Sequence, residues 1–259
     1  MRETDYSFFE PHRLKHTDFM SIWGQNIGRE MLVTELPVIG SLSSLMHGEK
    51  FLLQSDEVTV VDSLSDQIRK GLFSNSEAMQ KVAKFVPSNE SEVLPFKSQF
   101  FDGVVIHHDL EKRGDPREGL REAVRVLKPG GKLLIIGFNV FSLYSIRRWY
   151  SKFCVDDFSE YRFLNPFKLL DWLTLLSLEL SEIPKYGGLG FPFSLGQQKD
   201  EDCVSKYRIG SLAPNLIEYP LGGILFMLAQ RKDFVRNLDV VREGRISQLV
   251  PAASFRTIS

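Results

Sequence analysis

The clearest pattern of apolar and polar positions runs from Phe100 to Phe138. Phe101-Asp102-Gly103-Val104-Val105-Ile106 is a short apolar run between polar residues, which is how a strand buried on both faces reads. Asp115-Pro116-Arg117-Glu118 then supplies a helix cap, a proline at the first helical position and an acid three residues after the cap. Leu120, Ala123, Val124 and Leu127 follow at i, i+3, i+4 and i+7, predicting a helix that Pro129-Gly130-Gly131 stops. Leu133-Leu134-Ile135-Ile136-Gly137 lacks polar alternation and predicts a second buried strand. Strand, helix and strand with short joints form a right-handed βαβ unit of a parallel sheet.

Downstream, Phe141–Tyr150 has the spacing of an amphipathic helix. Asn165-Pro166 repeats the cap-plus-proline start before Leu169, Trp172, Leu173 and Leu176, a helix ending near Ser177. Leu178–Ile183 and Gly223–Ala229 read as strands. Residues 184–222 between them are rich in Gly, Pro and charge, and exceed the roughly 12–15 residues of a structureless connection, so a lid with some helix is expected. Upstream, Phe19–Met46 has helical spacing broken at Pro37, and Ser65–Val86 again looks helical. Two short apolar runs, Phe51-Leu52-Leu53 and Val58-Thr59-Val60-Val61, lie between them. The expected division is a helical segment over 1–47, an α/β domain over 48–232 and an extended tail over 233–259.

Composition narrows the function classes. With 259 residues and 43% apolar positions the chain can bury a sizeable core. Its 32 basic residues are matched by 33 acidic ones, so no nucleic-acid partner is expected of it. Two cysteines, Cys154 and Cys203, form neither a disulfide scaffold nor a zinc cluster and fit a reducing compartment. The first residues lack an apolar core for secretion, and no apolar run nears the roughly 18 residues of a membrane span. A cytoplasmic protein without a membrane span is the expectation.

Leu94-Pro95-Phe96, Phe101-Asp102-Gly103-Val104-Val105 and the stretch from Glu122 to Gly137 (EAVRVLKPGGKLLIIG) resemble the class I S-adenosylmethionine-dependent methyltransferases, in the type-11 methyltransferase-domain group. Gly137-Phe138-Asn139, Ser142-Leu143, Arg147-Arg148, Phe163-Leu164 and Asp171-Trp172-Leu173 are similar to a bacterial subgroup of it. The likeness implies a Rossmann-like α/β fold: a mostly parallel, seven-stranded sheet with one antiparallel strand, helices on both faces, and S-adenosylmethionine at the C-terminal ends of the first strands. Open α/β sheets bind ligands at that edge. RVLKPGG is specific for the fold, not for activity. The function implied is methyl transfer to a small-molecule acceptor, small or amphipathic. The rival reading is a non-catalytic methyltransferase-like protein that works as a binding or regulatory partner. The oligomeric state is left open.

The chain departs from the family after Phe51-Leu52-Leu53, where Gln54-Ser55-Asp56-Glu57 replaces the glycine-rich turn. Only four residues precede Val58, whereas a parallel crossover needs about 10–12 or more. The first crossover helix therefore reads as missing: either 51–61 is one strand or a hairpin, or the first parallel strand lies upstream.

The resemblance places cofactor contacts at Gln54, Ser55, Asp56, Asp62, Asn89, Glu90 and His107. Asp62 stands where the ribose-binding acid of the second strand falls, or is a helix-cap or turn residue. Glu90, beside Asn89, stands at the adenine-side acid, or in an ordinary polar loop. His108 follows the strand 101–106 and is the candidate general base, because an imidazole titrates near working pH. Adjacent side chains diverge and no spaced partner for His107-His108-Asp109 is visible, so no metal site is expected. Asn139, Phe141 and Tyr144 follow the next strand and line the substrate side.

Overall fold

A computed structural model describes residues 26–86, 93–142, 145, 161–187 and 221–232. Strands β1 (Phe51–Gln54), β2 (Leu72–Ser74), β3 (Lys84–Phe85), β4 (Phe101–His107), β5 (Leu127–Phe138), β6 (Leu178–Leu180), β7 (Lys185–Gly187) and β8 (Ile224–Arg231) form one sheet in the order β3-β2-β1-β4-β5-β8-β6, with β7 paired to β8. The first five strands are mutually parallel and β8 runs antiparallel to β5, β6 and β7. The expected mostly parallel sheet with one antiparallel strand is present, with β7 as an eighth short strand.

Helices α1 (Asn26–Ser43), α2 (Thr59–Ser63), α3 (Asp66–Lys70), α4 (Pro116–Val126) and α5 (Pro166–Leu175) cover the sheet. Alternate strand residues feed two cores. Leu53, Val105, Leu134 and Ile136 face Ile39 and Leu42 of α1, while Leu52, Val104, Leu133 and Ile135 pack with Leu120 and Ala123 of α4 and Leu169 of α5. The segment around α1 thus shares its core with the sheet.

Local chemistry sets the helix starts. The Asp115 carboxylate accepts the Arg117 N–H at 2.9 Å, and the Asn165 side chain accepts those of Phe167 and Lys168 at 3.0 and 3.3 Å. Pro116 and Pro166 sit in the first turns, where a missing N–H costs nothing. α4 ends at Val126, so Leu127 and Pro129-Gly130-Gly131 lie inside β5 rather than at a helix stop. Gly130 takes φ +77°, and the β4–β5 register shifts between Phe101 and Gly103.

Three expectations upstream are corrected. α1 runs through Pro37: the carbonyl left without a donor is that of Val33, a residue 74% exposed, where water can satisfy it. Val58–Val61 is not a strand; it opens α2, and α2 with α3 is the first crossover, compressed into two five-residue helices between β1 and β2. Ser65–Val86 is not one helix; it holds α3, β2, a 3-10 turn at Glu77–Met79 and β3. The strand expected over Leu178–Ile183 ends at Leu180, and of the expected lid β7 is described. The helix expected at Phe141–Tyr150 lies mostly outside the described residues, and the tail 233–259 entirely so.

Candidate functional site

Because β1, β2, β4 and β5 are parallel, their C-terminal ends share one edge of the sheet. Ser55 follows β1, His107 ends β4, and the chain turns at His108 with φ +50°, a left-handed conformation that non-glycine residues rarely adopt. α1 lays a stripe of buried positions against this edge: Met31, Glu35, Val38, Ile39 and Leu42. Glu35 is the charged member of that stripe and is wholly buried.

Its carboxylate joins both histidines. Oε2 lies 2.8 Å from His107 Nε2 and Oε1 lies 3.2 Å from His108 Nε2. The far nitrogens are also held, His107 Nδ1 at 3.0 Å from Ser55 Oγ and His108 Nδ1 at 2.7 Å from Glu111 Oε2. Glu111 Oε1 accepts the backbone N–H of Phe138, and the His108 ring lies 4.3 Å from that of Phe138. All four titratable side chains have no exposed surface.

Burial on its own would raise the Glu35 carboxyl, but His108 and His107 outweigh it and bring the group from 4.5 down to about 2. Burial would lower His108, but Glu111 and Glu35 on either side lift it from 6.5 to about 9. Burial prevails at His107, which is lowered despite its bond to Glu35. His108 is therefore the more basic imidazole of the pair.

A second, solvent-facing set sits on the same edge. Asp56 is paired with Lys112 Nζ at 2.5 Å and accepts from Ser76 Oγ at 2.9 Å, tying the residues after β1, β2 and β4 together. Gln54, 3% exposed, leaves its Nε2 without a partner at the end of β1. In the turn between β1 and α2, Ser55 Oγ accepts the Glu57 N–H at 3.0 Å and Glu57 Oε1 accepts the Thr59 N–H at 3.1 Å. Side chains thus cap amides that a glycine-rich turn leaves open.

The sequence profile of the ubiE/COQ5 methyltransferase family matches residues 9–164, more than half of the chain. The chain belongs to the ubiE/COQ5 methyltransferase family. It is 32% identical over 122 residues to the ubiquinone/menaquinone biosynthesis C-methyltransferase UbiE of Bordetella parapertussis, covering 42% of this chain and 46% of that protein. It is 29% identical over 142 residues to the chloroplastic 2-methyl-6-phytyl-1,4-hydroquinone methyltransferase of Arabidopsis thaliana, covering 55% and 36%. The chain thus spans less than half the length of each of these curated relatives. Among solved structures, a SAM-dependent methyltransferase from Thermotoga maritima superposes with a TM-score of 0.54 at 19% identity, over 81% of this chain and 97% of that one. Magnesium protoporphyrin IX methyltransferase from Synechocystis PCC 6803, with SAH bound, gives 0.52 at 10% identity over 80% and 88%. These likenesses show the fold.

Within the family fold, the expected site residues part company. Gln54, Ser55, Asp56 and His107 gather at the C-terminal edge, with Ser55 and His107 buried and Asp56 exposed. Asp62 lies on α2, exposed, and does not end the second strand; the acid that follows β2 is Glu77 in the 3-10 turn. Asn89, Glu90 and Tyr144 lie outside the described residues. His108 has both ring nitrogens engaged and no exposed surface. Asn139 is buried and closes a turn, donating to the Gly222 carbonyl at 2.8 Å and accepting the Phe141 N–H at 3.1 Å. Phe141, 45% exposed, meets the ring of Phe167 edge to face at 5.6 Å. Sequence reasoning missed Glu35, Glu111, Ser76 and Lys112. Glu35 had a signal, since it interrupts the apolar stripe of α1 at a position where a charge must be paired.

Proposed function

We propose that the protein binds S-adenosylmethionine at the C-terminal edge of its sheet and catalyses methyl transfer to a small aromatic acceptor with an apolar portion. The single observation behind this reading is the family match over residues 9–164, which spans the sheet edge from α1 to β5. The relatives' names concern ubiquinone, menaquinone and a phytyl hydroquinone, amphipathic rings that suit the exposed Phe141–Phe167 pair beyond β5.

The residues present fit the cofactor in an altered way. The unpartnered Gln54 amide offers a buried donor at the end of β1, and the exposed Asp56 carboxylate, steadied by Lys112 and Ser76, is suited to hydroxyl groups. These side chains stand in for amides that Ser55 and Glu57 have already capped. When bound, the cofactor supplies an electrophilic methyl on a sulfonium. The protein's part is alignment: Gln54 and Asp56 fix one reactant and the aromatic pair the other, and holding two reactants in line removes much of the entropic barrier. No described geometry makes His108 a base, since a base must come within about 2.6–3.2 Å of the proton it takes, directly or through one water.

Titration calorimetry with S-adenosylmethionine and S-adenosylhomocysteine tests this. Micromolar binding of both, followed by methylation of a demethylated quinol, is the expected result. No binding up to millimolar would overturn it in favour of a non-catalytic binding protein.

A further inference from the structure

The buried cluster of Glu35, His107 and His108 is not used by the methyl-transfer reading, and its geometry differs from that of an ordinary structural histidine. Both Nε2 atoms point at one carboxylate, each facing its own oxygen, at 2.8 and 3.2 Å. The three ligand-type atoms lie within 4.8 Å of one another. A tetrahedral ion with bonds of about 2.0–2.2 Å to nitrogen and oxygen separates its ligand atoms by about 3.4 Å, a spacing this set reaches through small side-chain rotations. The opposite ring nitrogens carry the outer partners that metal-bound histidines require: His108 Nδ1 meets the Glu111 carboxylate at 2.7 Å and His107 Nδ1 meets Ser55 Oγ at 3.0 Å. Glu111 is itself fixed by the Phe138 N–H.

Charge counting favours an ion. The cluster buries two carboxylates completely. Charging both imidazoles as well would set two positive charges with ring centroids 4.8 Å apart. A divalent cation with neutral imidazoles balances both carboxylates without crowding two positive charges.

We propose that Glu35, His107 and His108 form a buried site for a first-row divalent transition ion, zinc(II) by ligand type, with Glu111 and Ser55 orienting the two rings. Mixed imidazole and carboxylate donors suit zinc: the two Nε2 atoms and one Glu35 oxygen supply three protein ligands at a place with no exposed surface, and the fourth position is left to a small ligand. The ion would staple α1 to the end of β4, beside the turn where the family's glycines are absent.

The test uses the full chain purified without chelators or an affinity metal, and no methyl donor, so its outcome is separate from cofactor binding. Elemental analysis by mass spectrometry should find close to one zinc per chain after dialysis. A chelator should lower the melting temperature, zinc should restore it, and cobalt(II) exchanged into the site should show visible absorption typical of low coordination. Glu35→Gln and His107→Ala should lose the ion; if neither folds, the metal content and chelator response of the native chain decide. Metal well below one-tenth per chain with no thermal shift on adding zinc would overturn the proposal. So would zinc retained at full occupancy by a folded Glu35→Gln or His107→Ala chain.

Discussion

Glu35 and His108 are 73 residues apart in the chain, yet the Glu35 carboxylate lies 3.2 Å from His108 Nε2, with no exposed surface on either side chain. This contact joins the helix before the sheet to the turn after its central strand. Replacing Glu35 with alanine strands two buried imidazoles opposite Glu111. Breaking a buried pair by removing one partner costs about 3–5 kcal/mol. Glu35→Ala is therefore expected to lower unfolding stability by that order in denaturant titration, and a loss below about 1 kcal/mol, the range of an exposed pair, would show that the contact is not formed.

The support beneath Glu111 can be tested from the other side. A Cβ added at Gly137 would lie 2.8 Å from Glu111 Oε1 and 2.7 Å from a methyl carbon of Leu164. Leu164 is packed in the core and Glu111 is fixed at both oxygens, so neither yields freely. Gly137→Ala is expected to cost about 1–3 kcal/mol, the usual range for overpacking. A stability unchanged from the native protein would mean that Glu111 does not occupy this position.

How far this arrangement was readable in the sequence depends on the distance over which each element is decided. The βαβ unit from Phe101 to Phe138 is settled locally, by Asp115-Pro116, the stripe of Leu120, Ala123 and Val124, and a continuous apolar strand. Val58-Thr59-Val60-Val61 misled because β-branched residues favour strands, whereas here Val60 and Val61 are buried beneath α1 in a short helix. β2, with three residues, is too short to show a period, and its position follows from pairing Leu72 with Phe51. His107 and His108 were visible as candidates, but their partner Glu35 is reached only through packing of α1, so neither the network nor its ligand-like geometry could be seen in the local spacing.

Besides Glu35, two carboxyls at the opposite end of the sheet should contribute acid sensitivity. Burial would raise the Asp102 carboxyl, but Lys128 and the Glu49 and Lys50 N–H groups hold it below its ordinary 3.8. The Arg125 guanidinium, against some burial and helped by the Leu94 N–H, holds Glu122 below 4.5. A carboxyl depressed in the folded state contributes stability that is complete above its unfolded pKa and is lost as pH falls through the folded one. Stability should thus fall as pH drops below the 3.8–4.5 range of the unfolded groups. The double variant Asp102→Asn/Glu122→Gln should start lower and show a shallower fall, and a slope equal to that of the native protein would remove these two groups as its cause.

The cofactor contacts proposed for the C-terminal edge can be told apart by substitution. Asp56 lies on the exposed rim between Ser76 and Lys112, whereas Asp62 lies exposed in the first turn of α2. Asp56→Ala is expected to weaken S-adenosylmethionine binding by roughly 10-fold or more, from the loss of about 1.5–3 kcal/mol that a charge-assisted hydrogen bond supplies. Asp62→Ala should leave affinity unchanged, with circular dichroism showing both variants folded. The reverse order of effects would restore Asp62 to the site.

The exposed aromatic pair offers a test of the acceptor. Phe141 and Phe167 are 45% and 63% exposed, which leaves much of both rings open to cover an apolar ligand. Their positions are set from the backbone: Asn139 holds the Phe141 N–H at 3.1 Å and Asn165 holds that of Phe167 at 3.0 Å. Removing both rings therefore changes apolar contact area without disturbing the turns that carry them. Burying one such side chain is worth about 1.5–3 kcal/mol, so a partly covered pair corresponds to roughly 10-fold in affinity. Phe141→Ala/Phe167→Ala is expected to raise KM for a tailed quinol by that factor while kcat and S-adenosylmethionine affinity stay unchanged. A tail-less, water-soluble quinol should show a smaller change, because it has less apolar surface to lose. A fall in kcat with KM unchanged would instead place the pair in the alignment of the reacting centre, and no change in either would move the acceptor to another face of the sheet edge.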